Sequence, residues 1–100
     1  SYEGKVAVGN VVLARMLDDQ FPNSLSGVIY QRNQFSVVNN GSINQAASDE
    51  AIHAAYEAVA QTNQGDNDMS LYFYNPNIVK QSWLQTRTHI KTIGNHAFKR

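Results

Sequence analysis

The chain has 100 residues, no cysteine, and eight basic residues balanced by eight acidic ones. This length fits one domain over residues 1–100, the lack of cysteine excludes disulfides and thiolate zinc sites, and the balanced charge argues against a nucleic-acid partner. Eleven Asn and eight Gln, with only 16% charged residues, suit neutral hydrogen-bonding partners such as sugars. No apolar run approaches the roughly 18 residues that a membrane span needs, and no leader peptide is visible at the first residue.

The predicted elements begin with a helix over Tyr2–Leu17. Its apolar residues recur three and four positions apart, and extra valines widen the apolar face, so burial on most sides is expected. Gly9 lies mid-helix, where it costs about 1 kcal/mol relative to Ala unless another backbone packs closely there. A short helical turn over Leu25–Tyr30 is expected next, with Asn23 or Ser24 as its cap. The segment Gln31–Ser42 is interpreted as a loop.

The clearest helix is predicted over Asp49–Gln61. Ser48 is a good N-cap residue, and acids in the first turn complement the helix dipole. The apolar residues three and four apart predict the buried stripe: Ile52, Ala55, Tyr56 and Val59. Glu50 lies in the first helical turn and Glu57 lies off this stripe, so both are assigned ordinary structural roles.

The C-terminal third predicts a small antiparallel sheet. Leu71–Tyr74 is expected to be extended, with Leu71 and Phe73 on one side and the two tyrosines on the other. Asn75-Pro76 is expected to open a short helix over Asn77–Leu84. Strands over His89–Ile93 and His96–Phe98 flank Gly94-Asn95, a two-residue hairpin loop. The predicted fold class is α+β, with helices followed by a small antiparallel sheet.

Candidate site residues cluster in the aromatic segment and at the hairpin. Aromatic rings stack on the C–H faces of sugars, and Asn offers both donors and acceptors, so Tyr72, Tyr74 and Asn75 are candidates. The alternative is that the aromatic rings of this segment fill a core beside Trp83. For Tyr72 and Tyr74 both interpretations remain open, whereas for Phe73 the core position is favoured.

The histidines and acids give little sign of a metal site. The three histidines lack the spacing of zinc ligands. Asp66-Asn67-Asp68 lacks the Gly and the distal Glu of a calcium loop. We therefore expect no metal and no cofactor. Of the three, His96, beside the tight turn, has the strongest claim to function, although an ordinary hydrogen-bonding role is favoured over a catalytic one.

Several segments in order resemble the SleB/CwlJ-type cell wall hydrolases, which include the spore cortex-lytic enzymes. They are residues 2–15, 21–23 with 27–31, 34–38, 73–76 with Trp83, and 93–98. Each segment alone is weak evidence for the family, but their occurrence in the family's order over nearly the whole chain is specific evidence. The resemblance implies a lysozyme-like core related to resuscitation-promoting factors, with peptidoglycan glycan strands as the partner. It also implies a location outside the cell, in the spore envelope or cell wall.

The resemblance further implies lytic transglycosylase-type cleavage of the bond between N-acetylmuramic acid and N-acetylglucosamine. One glutamic acid protonates the leaving oxygen and, as carboxylate, then deprotonates the muramic 6-hydroxyl. An N-acetylmuramoyl-L-alanine amidase activity and a non-catalytic glycan-binding domain remain open alternatives. An amidase commonly needs zinc, for which no ligand set is visible.

The catalytic glutamate implied by the resemblance, the general acid, lies about five residues before Ser1. We therefore expect the chain as given to lack it and to be nearly inactive. Its catalytic residue stays unknown, because Glu3 matches a different position of the motif and is kept only as a substitute. The residues expected to line the glycan groove, with amides bonding N-acetyl and hydroxyl groups and rings stacking on sugars, are Gln34, Tyr72, Tyr74, Asn75 and His96.

Overall fold

The computed structural model of the chain describes residues 1–31 and 46–100. The helices are α1 (Tyr2–Leu17), α2 (Leu25–Ile29), α3 (Asp49–Asn63) and α4 (Ser82–Thr86). The strands are β1 (Tyr72–Tyr74), β2 (His89–Ile93) and β3 (His96–Lys99). They form one antiparallel sheet in the order β1-β3-β2. The predicted α+β class, with helices followed by a small antiparallel sheet, is confirmed.

The helix α1 has the predicted bounds because local signals mark both of its ends. The Ser1 hydroxyl accepts a hydrogen bond from the Gly4 amide at 3.0 Å, which satisfies one free N–H of the first turn. At the other end, Asp18 is extended, with φ −97° and ψ 133°. Between these ends, Val11 and Ala14 are fully buried. The helix is thus the element against which α2, α3 and the sheet pack.

The helix α3 lies against α1 through small side chains. Val6 of α1 and Ala54 and Ala58 of α3 form one buried cluster. A Cβ atom placed on Gly9 would lie 2.9 Å from the Cβ of Ala58, closer than real side chains approach. The glycine therefore permits the close approach of the two helices, and this contact accounts for a glycine in the middle of a helix.

The predicted buried stripe of α3 is wrong, although its N-cap is confirmed. The Ser48 hydroxyl accepts a hydrogen bond from the Ala51 amide at 3.1 Å, as expected for the cap. All four residues of the predicted stripe are exposed: Ile52, Ala55, Tyr56 and Val59. The close contact with α1 admits only methyl groups, so α3 turns its alanine face, with Ala54 and Ala58, toward α1.

The two faces of the sheet bury different aromatic residues. Phe73 pairs with Phe98 across β1 and β3, and both contact Ala7 and Val11 of α1. The opposite face carries Tyr72 and Tyr74, as the alternation predicts. Tyr74 is the most buried of the three β1 aromatics, at 7% exposure, whereas Phe73 is only half-buried.

Residues after Pro76 form a turn rather than the predicted helix over Asn77–Leu84. The Asn75 side-chain oxygen accepts a hydrogen bond from the Asn77 amide at 2.9 Å, and the Asn75 carbonyl accepts from Ile78 and Val79. These bonds close a single turn after Asn75, and the turn does not continue as a helix. Helical structure begins only at Ser82 and ends at Thr86.

The C-terminal hairpin is confirmed. His96 pairs with Ile93, and Gly94 in the loop has a φ of +56°, a conformation that favours glycine. The strand β2 is irregular between His89 and Lys91, where the register shifts.

Arg15 joins α1 to the start of the sheet. Its side chain is 4% exposed, and Nε donates to the Leu71 carbonyl at 2.7 Å. The guanidinium carbon also lies 4.9 Å from the centre of the Phe21 ring and 5.8 Å from that of Tyr72. Burial lowers the pKa of Arg15, yet a guanidinium titrates so high that the group stays charged at neutral pH. Arg15 is thus a structural residue that holds the loop before β1 in place.

Candidate functional site

Two grooves flank the N-terminal half of α1, each between this helix, α3 and the sheet. The larger, groove A, has a volume of about 610 Å³, and the lining residues that matter here are Ser1, Val8, Phe73, Asn95, His96 and Phe98. The smaller, groove B, has a volume of about 270 Å³ on the other side of α1, and its polar lining is Tyr2, Glu3, Asn10, Glu57, Gln61 and Lys91.

Groove A combines an apolar floor with a polar rim. The rings of Phe73 and Phe98 stack with centroids 5.9 Å apart and form part of the floor with Val8. Asn95 and His96 are exposed at the rim. This volume lies within the usual range for small-molecule sites, and aromatic walls with few polar groups are typical of them.

His96 reaches groove A because of the hairpin that precedes it. The Gly94-Asn95 turn reverses the chain, and the pairing of His96 with Ile93 sets its side chain on the α1 side of the sheet. The His96 ring lies 6.2 Å from the ring of Phe73, centroid to centroid. An exposed imidazole at the edge of an aromatic floor can donate or accept one hydrogen bond to a ligand in the groove.

Of the predicted glycan residues that the structure describes, only His96 lies in groove A. Tyr72 is on the opposite face of the sheet, where it contacts Trp83 edge-on at 5.4 Å and lies below the guanidinium of Arg87. Tyr74 packs against Leu84 and is nearly inaccessible.

The other two predicted glycan-groove residues are not in groove A as the structure describes it. Asn75 uses its side chain to cap the turn after β1, and its backbone carbonyl supports the same turn. Gln34 lies outside the described residues. The predicted set is therefore divided between two faces of the sheet, and Phe73 takes the place in groove A that was expected for the tyrosines.

Sequence reasoning missed Phe73 and Asn95 as groove residues. The strand alternation already separated Phe73 from the tyrosines, but it does not tell which face meets the open groove. The sequence indicates only a turn at Asn95, and the turn presents this residue at the rim of groove A.

The described carboxylates lie away from groove A. Glu3 is exposed and lines groove B. Glu50 forms an exposed ion pair with Lys5 at 2.9 Å, and the hydrogen bond from Lys5 lowers the pKa of Glu50. A general acid that works near neutral pH needs the opposite shift, so the environment of Glu50 does not suit that role.

Within residues 1–31 and 46–100, no three His, Cys, Asp or Glu side chains are grouped so that they could hold a metal ion. Helices in the same two ranges are all too short or too polar to cross a membrane.

Comparisons with known proteins agree on one family. The family model described as cell wall hydrolase matches residues 1–99. The spore cortex-lytic enzyme of Oceanobacillus iheyensis is 38% identical over 97 residues, which cover 97% of this chain but only 34% of that protein. The chain thus spans about a third of the length of this relative.

Two solved structures share the fold over the full chain. One is the catalytic domain of the germination-specific lytic transglycosylase SleB from Bacillus anthracis, at a TM-score of 0.89 and 37% identity, with 80% of that chain covered. The other is the catalytic domain of the Bacillus cereus SleB protein, at a TM-score of 0.90 and 35% identity, with 77% covered. With the family model matching residues 1–99 and the fold shared throughout, this chain belongs to the cell wall hydrolase family.

Proposed function

We propose that this chain is part of a lytic transglycosylase-type domain that degrades peptidoglycan and binds the glycan strand in groove A. The observation that carries the proposal is the structural match to the SleB catalytic domain, described as a lytic transglycosylase, over the whole chain at a TM-score of 0.89. The relatives named spore cortex-lytic enzymes support the spore cortex as the place of action.

The chemistry of groove A suits a sugar backbone. A pyranose ring presents C–H groups on its faces and hydroxyl or N-acetyl groups around its edge. The Phe73 ring and its apolar surroundings would contact the C–H face, while Asn95 and His96 at the rim would bond to the edge groups. Lys5 at the rim is already paired with Glu50, so it adds little net charge.

The general acid would come from a glutamate that precedes Ser1 in the parent protein. Among the described residues no carboxylate lines groove A, whereas Ser1 lies at its rim. A residue five positions before Ser1 is at most about 17 Å away along an extended chain. It could therefore reach the groove. Glu3 is the weaker candidate, because it lines groove B instead.

The proposed reaction has two linked proton transfers. The glutamic acid gives its proton to the glycosidic oxygen as the bond from that oxygen to the muramic C1 breaks. The resulting carboxylate then takes the proton of the muramic 6-hydroxyl, and this oxygen forms a new bond to C1. The product is a 1,6-anhydro sugar, and no water is consumed.

The products formed from purified peptidoglycan test this reaction. A version of the chain extended upstream to include the glutamate should release anhydro-muropeptides, detected by mass spectrometry, and should do so in the presence of chelators. The 100-residue chain should be nearly inactive. Release of free stem peptides that stops with chelators would instead identify an amidase, and an extended protein that binds glycan but does not cleave it would be identified as a glycan-binding domain.

A binding experiment tests the groove itself. His96→Ala should weaken the binding of soluble glycan fragments several-fold, as expected for the loss of one hydrogen bond of about 1 kcal/mol. His53→Ala is the matched control, because His53 is exposed on α3 and lies outside groove A. Equal affinities for both variants, measured by calorimetry, would remove His96 from the glycan site.

A further inference from the structure

Groove B has the features of a second binding site, separate from the proposed glycan groove. It lies between α1, α3 and the edge strand β2. Its volume of about 270 Å³ is below the range usual for drug-sized ligands, so it fits a group the size of an amino-acid side chain.

The polar side chains of groove B form a connected hydrogen-bond network. The Asn10 amide donates through Nδ2 to Gln61 Oε1 at 2.9 Å, and Gln61 Nε2 in turn lies 3.5 Å from Glu57 Oε1. The neighbouring Glu57 carboxylate, as a hydrogen-bond acceptor for its hydroxyl, raises the pKa of Tyr2. The network therefore ends on carboxylate oxygens.

Asn10 supplies an independent sign of a ligand. The residue is 5% exposed, and its Oδ1 is buried with no hydrogen-bond partner in the part of the chain that the structure describes. Buried acceptors are nearly always paired with a protein donor, water or a ligand. Asn10 lines groove B, so a rotation of its amide that turns Oδ1 toward the groove would let a bound donor satisfy this oxygen.

The charges of groove B favour a cation. Glu3 and Glu57 both line it, and the ammonium of Lys91 is bound to Asp68 at 2.6 Å. The carboxylates are therefore not neutralised by Lys91. Two acids are too few for the usual metal cage, and Val6, Ala7 and Ile93 add an apolar wall.

We propose that groove B binds a primary ammonium group carried on a short methylene chain. The ammonium lies between the carboxylates of Glu3 and Glu57 and donates to Asn10 Oδ1, while the methylenes contact the apolar wall. In this proposal one extended ligand passes Ile93, which lines both grooves, and occupies groove A and groove B together. The natural source of the amine would be the peptide attached to a glycan strand, and this last identification rests on the proposed function.

The amine site is tested by an NMR titration of the 100-residue chain with 1-pentylamine at neutral pH. Saturable shifts should appear at the Asn10 side-chain amide and at Glu57, with a dissociation constant in the millimolar range. The matched probe 1-pentanol has the same chain without the charge and should bind about tenfold more weakly or not at all. Equal binding of both probes, or shifts that do not saturate, would overturn the proposal and leave a groove filled by water.

Single substitutions test which carboxylates bind the ammonium group. Glu57→Gln and Glu3→Gln should each weaken 1-pentylamine binding by about tenfold, and Glu3 is exposed in the first helical turn, so its variant should fold. Glu50→Gln is the matched control on the same helix as Glu57, outside groove B. An equal loss in Glu50→Gln would show general charge attraction and contradict a site.

A second titration separates this inference from the proposed function. A soluble muropeptide with a free amine should shift resonances in both grooves, whereas the same compound with its amine acetylated should shift only Asn95 and His96. Shifts in groove B alone would support the amine site and contradict glycan binding in groove A. Unchanged groove B shifts after acetylation would show that the peptide amine does not bind there.

Discussion

The helix α1 makes two contacts of opposite character. Toward the sheet it packs large side chains, with Val11 and Phe98 almost fully buried. Toward α3 it presents Gly9, which lies against Ala58 at a distance that leaves no room for a methyl group. The contact with the sheet is filled by large side chains, whereas the contact with α3 depends on the lack of a side chain at Gly9. The first should therefore be sensitive to truncation and the second to enlargement.

Truncation on the sheet side should have the largest effect. Phe98→Ala removes the largest fully buried side chain described and should lower the free energy of unfolding by about 3–5 kcal/mol, measured by urea denaturation. The control is Ala58→Gly on the α3 side, which should cost only about 1 kcal/mol through helix propensity. An equal loss of unfolding free energy in the two variants would contradict the proposed difference between the two contacts of α1.

Enlargement on the α3 side should have the next largest effect. Gly9→Val should cost about 1–3 kcal/mol, because the new methyl groups meet Ala58. Gly9→Ala should also destabilise, although alanine is the better helix former by about 1 kcal/mol. Combining Gly9→Ala with Ala58→Gly should recover part of the loss, which a double-mutant cycle measures. A stabilising Gly9→Ala would show that the helices can separate freely.

A polar contact across the sheet should have the smallest effect and should depend on pH. Burial by itself raises the pKa of Asp68, but the hydrogen bonds from Lys91 and Ser70 outweigh it and lower the pKa below its usual 3.8. A lowered folded-state pKa stabilises the fold at pH values above 3.8, and this stabilisation is lost as the pH falls through the folded-state value.

Asp68→Asn should therefore cost about 1 kcal/mol at pH 7. The difference from the unmodified chain should shrink in denaturation experiments below pH 3.8, the usual pKa of the group. Glu50→Gln is the control, because its ion pair with Lys5 is exposed and contributes little. A difference that stays constant with pH would show that the Asp68 charge is not involved.

Elements with strong local signals could be predicted from sequence. The bounds of α1 follow from the Ser1 cap and the apolar period, and the hairpin follows from Gly94-Asn95. The helix over residues 77–84 failed, because the turn that Asn75 caps does not continue and helical structure begins only at Ser82. The order of motifs was enough to identify the family, which the comparisons confirm.

The candidate site was only partly predictable. The chemistry of His96 and its place beside a tight turn were visible, but the alternation of β1 does not say which of its faces meets an open groove. The tyrosines lie on the face covered by α4 and Trp83, and Phe73 lies on the other. Groove B had no sequence signal, since Glu3, Asn10 and Glu57 are brought together only by the packing of α1 on α3.

The sequence by itself determined the family, the α+β class, the ends of α1 and the hairpin, because each depends on residues close together in the chain or on motif order. The tertiary structure alone decided which side of α3 is buried, which aromatic residues face a groove, and that two grooves flank α1. Those features depend on how closely helices and sheet can approach. That distance is set by contacts such as Gly9 with Ala58, which are far apart in sequence.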